Sequence, residues 1–135
     1  VLLAGGTGFG PVKAIVEHAF QQKSVRPMAL YWGARDRAGL YLHELAASWA
    51  ASHPGFKYVP VLSEAQPGDG WLGRNGLVHR AVMGDFPDLS GHQVYACGAP
   101  AMIEAARFDF ISRCGLKNED FFADAFTFAA ESVSP

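Results

Sequence analysis

Cysteine is nearly absent: Cys97 and Cys114 are the only two in 135 residues. One closes a strand-like run and the other falls late in a helical pattern. Neither a disulfide framework nor a thiolate metal site is expected, and a reducing cytoplasm is the simplest location. The histidines His18, His43, His53, His79 and His92 show no spacing that suits a metal either. Long apolar runs are also missing, with no stretch reaching the roughly eighteen residues needed to span a bilayer. Charge of one sign is equally scarce. With a net charge of -2 and the two signs interspersed, the chain has no basic stripe for a nucleic-acid backbone. It has no polybasic segment for anionic lipid, so neither nucleic acid nor membrane is an expected partner.

What is present is ordinary globular material. Half of the residues are apolar and 18% are charged, outside the regime that leaves chains disordered. A single domain of this length buries about two thirds of its unfolded surface. Strand-like apolar runs lie at residues 1–4, 28–32, 58–62 and 93–97, with a weaker one at 121–125. Helical spacing falls between them. Val12, Ile15, Val16, Ala19 and Phe20 form one stripe behind Pro11, which is expected at the first helical position, where a missing N–H costs nothing. Leu42, Leu45, Ala46 and Trp49 form a second stripe, stopped by His53-Pro54-Gly55. A third helix runs from Pro100 to about Cys114, with Gly115 behind it, and residues 77–83 are a shorter candidate. Near-continuous apolar strands alternating with helices predict a three-layer α/β/α open parallel sheet of about five strands. The chain opens on Val1-Leu2-Leu3-Ala4-Gly5, a strand already under way, and is therefore read as one domain cut from a longer protein.

In such a sheet, ligands bind beyond the carboxyl ends of the strands. The loop Gly5-Gly6-Thr7-Gly8-Phe9-Gly10-Pro11 falls there, between the first strand and the first helix. Its glycines let backbone amides approach a phosphate, and the helix N-terminus adds about half a positive charge at the same spot. A pyrophosphate cradle is preferred over a plain tight turn, although the glycines do not follow the G-x-G-x-x-G order. On this reading Gly8→Val weakens nucleotide binding and leaves the domain folded. Cys97-Gly98-Ala99-Pro100-Ala101-Met102 occupies the equivalent place after a later strand. Alone, Cys97 reads more readily as a buried small hydrophobe than as a reactive thiol. The irregular stretch 63–75, with Pro67, Gly68, Gly70 and Gly73, is long enough to mark a functional connection. Trp71 within it reads as a loop anchor, and Trp32 and Trp49 read as packing residues.

Two further stretches join these loops: Leu30-Tyr31-Trp32-Gly33-Ala34-Arg35 leading into Leu40-Tyr41-Leu42, and Phe122-Ala123-Asp124-Ala125-Phe126. As a set they resemble the C-terminal NAD(P)-binding domain of the ferredoxin-NADP reductase superfamily, most nearly its NAD(P)H-flavin reductases and the reductase components of bacterial oxygenases. The resemblance covers nearly the whole chain. It implies a Rossmann-like domain of a flavin-dependent oxidoreductase, in which hydride passes from the nicotinamide to FAD or FMN. Electrons would then reach free flavin, an iron-sulfur centre or an oxygenase partner. Gly6, Thr7, Gly8, Phe9, Gly10 and Pro11 would hold the pyrophosphate, with Thr7 near the nicotinamide ribose or carboxamide. Cys97 and Gly98 would lie beside the nicotinamide, the Cys97 sulfur close to the carbon that gives up hydride, with Ala99, Pro100 and Met102 completing that loop. The cofactors carry the chemistry, so the protein contributes positioning and electrostatics.

The resemblance also implies a flavin held by a preceding antiparallel barrel through an Arg-x-Tyr-Ser/Thr motif. That motif is absent here, as are the four clustered cysteines of a plant-type [2Fe-2S] centre. A flavin domain in cis upstream is therefore expected, and this segment alone is not a complete enzyme. Phe126 or Phe128 would cover the flavin ring or close the core beneath it. Ser63-Glu64 follow the third strand, where NADPH-using relatives tend to carry serine and then arginine. A carboxylate there repels a 2'-phosphate and accepts hydrogen bonds from a free ribose diol, which favours NADH. Arg35 and Arg74 argue for NADPH, the alternative cofactor, if their loops bring them to the adenosine phosphate. A reading from a different class keeps the same cradle as a nucleotide sensor without electron transfer.

Overall fold

The computed structural model describes residues 1–125, so Phe126, Phe128 and the rest of the tail lie outside the described residues. The apolar runs become β1 (Leu2–Gly5), β2 (Met28–Ala34), β3 (Phe56–Leu62), β5 (Val94–Gly98) and β6 (Phe121–Ala125), and a two-residue strand β4 (Arg74–Asn75) joins them. The helices are α1 (Phe9–Gln21), α2 (His43–Ser52), α3 (Val78–Asp85) and α4 (Pro100–Cys114). All neighbouring strands run parallel, in the order β4-β3-β2-β1-β5-β6. The expected three-layer parallel sheet is therefore present, with one strand more than the apolar pattern shows. β4 escapes that pattern because Arg74 and Asn75 are exposed polar residues on the sheet edge.

Continuous apolar strands are needed because both faces of the sheet are covered. Leu2, Ala4, Leu30, Trp32 and Cys97 project to the face packed by α1 and α2, where they meet Val12, Val16, Ala46 and Trp49. Leu3, Tyr31, Val59, Val61 and Ala96 project to the other face and meet Val78, Val82, Ile103, Ala106 and Phe110 of α3 and α4. Phe9 lies fully buried in the first core. Its ring stacks on Trp32 at 4.0 Å between centroids and 9° between planes, and stands edge-on to Tyr41 at 6.2 Å. Such aromatic pairs add about 0.5–1.5 kcal/mol to their burial.

Two helix ends differ in how well the sequence places them. Pro100 opens α4 and Gly115 closes it in the left-handed region at φ +72°, which an L side chain rarely adopts, as the proline and glycine predict. Pro11 stands at the third position of α1, because Gly8 is the residue before the helix and Phe9 and Gly10 already belong to it. The first-turn amides lack intrahelical partners in any case, so the proline is tolerated there too. Among the described residues no helix is long and apolar enough to cross a membrane.

Candidate functional site

The strand order reverses between β1 and β5, which pair directly with Ala4 opposite Cys97. In open parallel sheets the crevice at such a reversal is where ligands bind. α1 and α4 start at this edge with Gly8 and Ala99 before them, and neither helix has a side-chain cap. Their first-turn amides and the positive ends of their dipoles therefore face the crevice. Between β1 and α1 the chain makes a tight turn over Gly6–Gly8, with Gly6 left-handed at φ +54° and Thr7 exposed at its crest. The indole Nε1 of Trp32 donates to the Gly6 carbonyl at 2.9 Å. Trp32 is thus more than the packing residue its spacing suggests, because it ties the turn to β2.

Two of the cradle residues take roles other than those expected. A Cβ at Gly8 would lie 2.1 Å from the Cys97 carbonyl oxygen and 2.9 Å from the Gly98 nitrogen. Gly8 is therefore glycine because the two loops touch there, so Gly8→Val breaks the fold's own packing, which corrects the expectation of a folded variant. Phe9 offers the crevice no side chain, since its ring is buried in the aromatic stack. A Cβ at Gly10, by contrast, meets nothing within 4 Å, and Gly10 is the exposed glycine that a ligand can approach.

On the α3/α4 face the crevice continues as a cavity of about 370 Å³. Gly5, Gly33, Ala34 and Ser63 at the strand ends form its floor, Gly76, Leu77, Val78 and His79 one wall, and Ala101, Met102 and Ala105 the other. It is a mostly apolar slot of the size that suits a flat base. The Met102 methyl would lie 2.9 Å from a Cβ at Gly5 and 2.7 Å from one at Gly98, so its thioether seals the seam between the two loops. Val78 leaves equally little room over Gly33, where an added Cβ would come within 2.6 Å. His79 is buried in the wall and its Nε2 lies 3.1 Å from Asp109 of α4, joining the two helices that flank the slot.

Ser63 lines this slot, and Glu64 follows it on the exposed rim. The Ser63 amide donates to Ala34 at 2.9 Å and the Glu64 amide to Arg35 at 2.7 Å, so Arg35 and Glu64 sit on touching loops. Arg74 is committed elsewhere. Its guanidinium pairs with Asp85 at 2.9 and 2.8 Å.

On the α1/α2 face a second hollow, of about 350 Å³, lies between the start of α1 and the β5–β6 edge. Pro11, Val12, Tyr95, Cys97, Phe122 and Asp124 are among its lining residues, and Phe122 stacks on Tyr95 at 4.8 Å. Burial, with a smaller push from Asp124, raises the Cys97 thiol to about 11. At neutral pH it is therefore a neutral SH group and no nucleophile. At pH 8 about one Cys97 in a thousand is ionised, against about a quarter for an ordinary cysteine. Alkylation of Cys97 by iodoacetamide, followed peptide by peptide in a mass spectrometer, should be slow at pH 8 and accelerate up to about pH 11. Rapid modification that levels off near pH 9 would contradict this assignment.

A parallel sheet with uncapped helix N-termini at its strand-order reversal, a base-sized slot on one face and a cysteine-lined hollow on the other defines a dinucleotide-binding α/β domain. The chain belongs to the family described as oxidoreductase NAD-binding domain, whose model matches residues 2–107. It is 49% identical over 128 residues to the CDP-6-deoxy-L-threo-D-glycero-4-hexulose-3-dehydrase reductase of Yersinia pestis, an alignment covering 93% of this chain and 37% of that protein. To the NAD(P)H-flavin reductase of Aliivibrio fischeri it is 39% identical, covering 95% of this chain and 53% of that one. Among solved structures, the Amycolatopsis cytochrome P450 reductase GcoB superposes with a TM-score of 0.84 at 35% identity, over 95% of this chain and 37% of that one. The chain thus spans between about a third and a half of the length of these relatives.

Sequence reasoning identified both crevice loops, together with Ser63 and Met102. It missed Gly33, Leu77, Val78 and His79, which complete the slot. Gly33 carried a usable signal, as a glycine at the end of an apolar strand level with Gly5. The wall residues carried none, because they become neighbours of Met102 only through the packing of α3 beside α4.

Proposed function

We propose that this domain binds NADH and presents its nicotinamide to a flavin held by a domain preceding it in the same protein. The observation that carries this reading is the crevice itself, with two uncapped helix N-termini open at the β1/β5 reversal and a cavity on each face of the sheet. Backbone amides around Gly6, Thr7 and Gly10 would hold the pyrophosphate. The adenosine would enter the slot past Ser63 and Met102, and the nicotinamide would lie towards Thr7, Gly98 and Cys97. Ala99 and Pro100, exposed at the start of α4, contribute the backbone of that second loop. A dinucleotide bound this way lies across the carboxyl edge of the sheet, which orients its nicotinamide for transfer.

FAD or FMN held alongside would supply the hydride acceptor and the route by which electrons could reach free flavin, an iron-sulfur centre or an oxygenase partner. The residues of this chain orient the nicotinamide and keep water from it, and no side chain is needed as a base. Phe122 and Asp124, exposed beside Cys97, are where the flavin domain would approach. Arg35 on the neighbouring loop favours a 2'-phosphate, but Glu64, directly after the slot-lining Ser63, disfavours one and supports NADH.

Titration of the protein with ADP-ribose and with its 2'-phosphorylated analogue tests this directly. ADP-ribose should bind at least about tenfold more tightly than the analogue, and Glu64→Arg should reverse the order. Tighter binding of the analogue to the unaltered protein would assign NADPH instead, and failure of both to bind would refute the nucleotide site.

A further inference from the structure

We infer that the Arg74–Asp85 ion pair is a positioning device for the adenosine slot, holding in place a wall that it does not itself form. The inference rests on the slot being the adenosine site. That wall, Gly76 to His79, follows the short strand β4 and leads into α3. Val78 and Val82 pack into the core and His79 reaches Asp109 of α4, but the stretch leading into the wall is held to the sheet by little: the Gly76 amide donates to Leu62 at 2.9 Å, and β4 contributes two residues of pairing, Arg74 with Val61 and Asn75 with Leu62. α3 is only 8 residues long and has no side-chain cap, so it is not stable by itself.

The ion pair closes this excursion at its two ends. Arg74 opens β4, two residues before the wall, and Asp85 is the last residue of α3. Nη1 of Arg74 donates to Oδ1 of Asp85 at 2.9 Å, and Nη2 lies 2.8 Å from Oδ2, a planar fork that fixes direction as well as distance. Asp85 is itself anchored to the sheet, because the hydroxyl of the buried Tyr31 in β2 donates to Oδ2. Lys57 stands at 3.9 Å as a looser partner. The arginine and aspartate side chains are 44% and 21% exposed, and an ion pair at that exposure adds little to overall stability. Its effect falls on geometry. Without it, the segment between residues 74 and 85 can shift against the Ala101–Met102 wall, and the slot must be re-formed each time nucleotide binds.

The test uses the full-length flavoprotein and two substitutions, Arg74→Met and Asp85→Asn, both of which break the pair yet leave an oxygen or a carboxylate to accept from Tyr31. NADH, reduced nicotinamide mononucleotide as a hydride donor lacking adenosine, and 5'-AMP as a competitor are compared. Both variants should raise KM for NADH and weaken inhibition by AMP together, each by about tenfold, with kcat and KM for the mononucleotide unchanged. If AMP inhibits the unaltered protein and both variants equally, the ion pair has no positioning role. Equal losses with NADH and with the mononucleotide would show general disruption and overturn it as well. If AMP does not inhibit even the unaltered protein, the adenosine assignment of the slot fails first and the inference falls with it.

Discussion

Gly8→Val should cost the domain about 3 kcal/mol, lowering its melting temperature by roughly 10 °C. Gly10→Val, two residues away, should leave melting almost unchanged and weaken nucleotide binding by about 2 kcal/mol, or some thirtyfold. The contrast follows from what each new side chain meets. At Gly8 a Cβ lies 2.1 Å from the carbonyl oxygen of Cys97 and 2.6 Å from its carbon, both backbone atoms at the end of a central strand. Neither can yield without breaking the β1–β5 junction. At Gly10 a Cβ points into open space, which is the space the pyrophosphate would take. Thermal melting and calorimetric titration with ADP-ribose on both variants separate the two effects. A Gly10→Val protein that binds like the unaltered one would move the phosphate away from this turn.

A second large effect is expected at Cys97. If a flavin domain precedes this one as proposed, Cys97→Ala in the full-length protein should slow flavin reduction by NADH about a hundredfold while ADP-ribose affinity stays within about twofold. The side chain lines the hollow on the α1 face, whereas the slot proposed for the adenosine opens on the opposite face of the sheet. On the proposed placement of the cofactor, removing it would alter how the nicotinamide is seated and leave the adenosine half untouched. Stopped-flow absorbance of the flavin gives the rate, and an undiminished rate would remove Cys97 from the site. The raised thiol adds a pH criterion. A group whose folded value lies above its unfolded one contributes stability that is complete below about pH 9 and disappears as pH climbs through about 11. Between pH 6 and 9 the rate should therefore carry no inflection that Cys97→Ala abolishes.

The fold was largely legible in the chain. Apolar runs at 28–32 and 58–62, the helical stripes and the Pro100 and Gly115 punctuation lead to the elements observed, because a side chain's burial within an element depends on its neighbours a few positions away. The two glycine-bearing loops were legible for a related reason: any loop leaving a parallel strand at its carboxyl end must lie on the ligand-binding edge. Phe126 was legible only as a candidate, and it lies outside the described residues.

The sequence by itself thus determined the architecture and the carboxyl edge of the sheet at which the two glycine-bearing loops meet. Only the tertiary structure decided what each residue there does. It showed that Gly8 is spared a side chain by Cys97, that Phe9 turns inward onto Trp32, that Arg74 is spent on Asp85, and that α3 supplies a wall of the slot. Three of these depend on contacts between segments far apart in the chain, and the Arg74–Asp85 pair joins residues 11 apart on two different elements. Such contacts are set by strand order and helix packing, and they leave no periodic trace along the sequence from which they could be read.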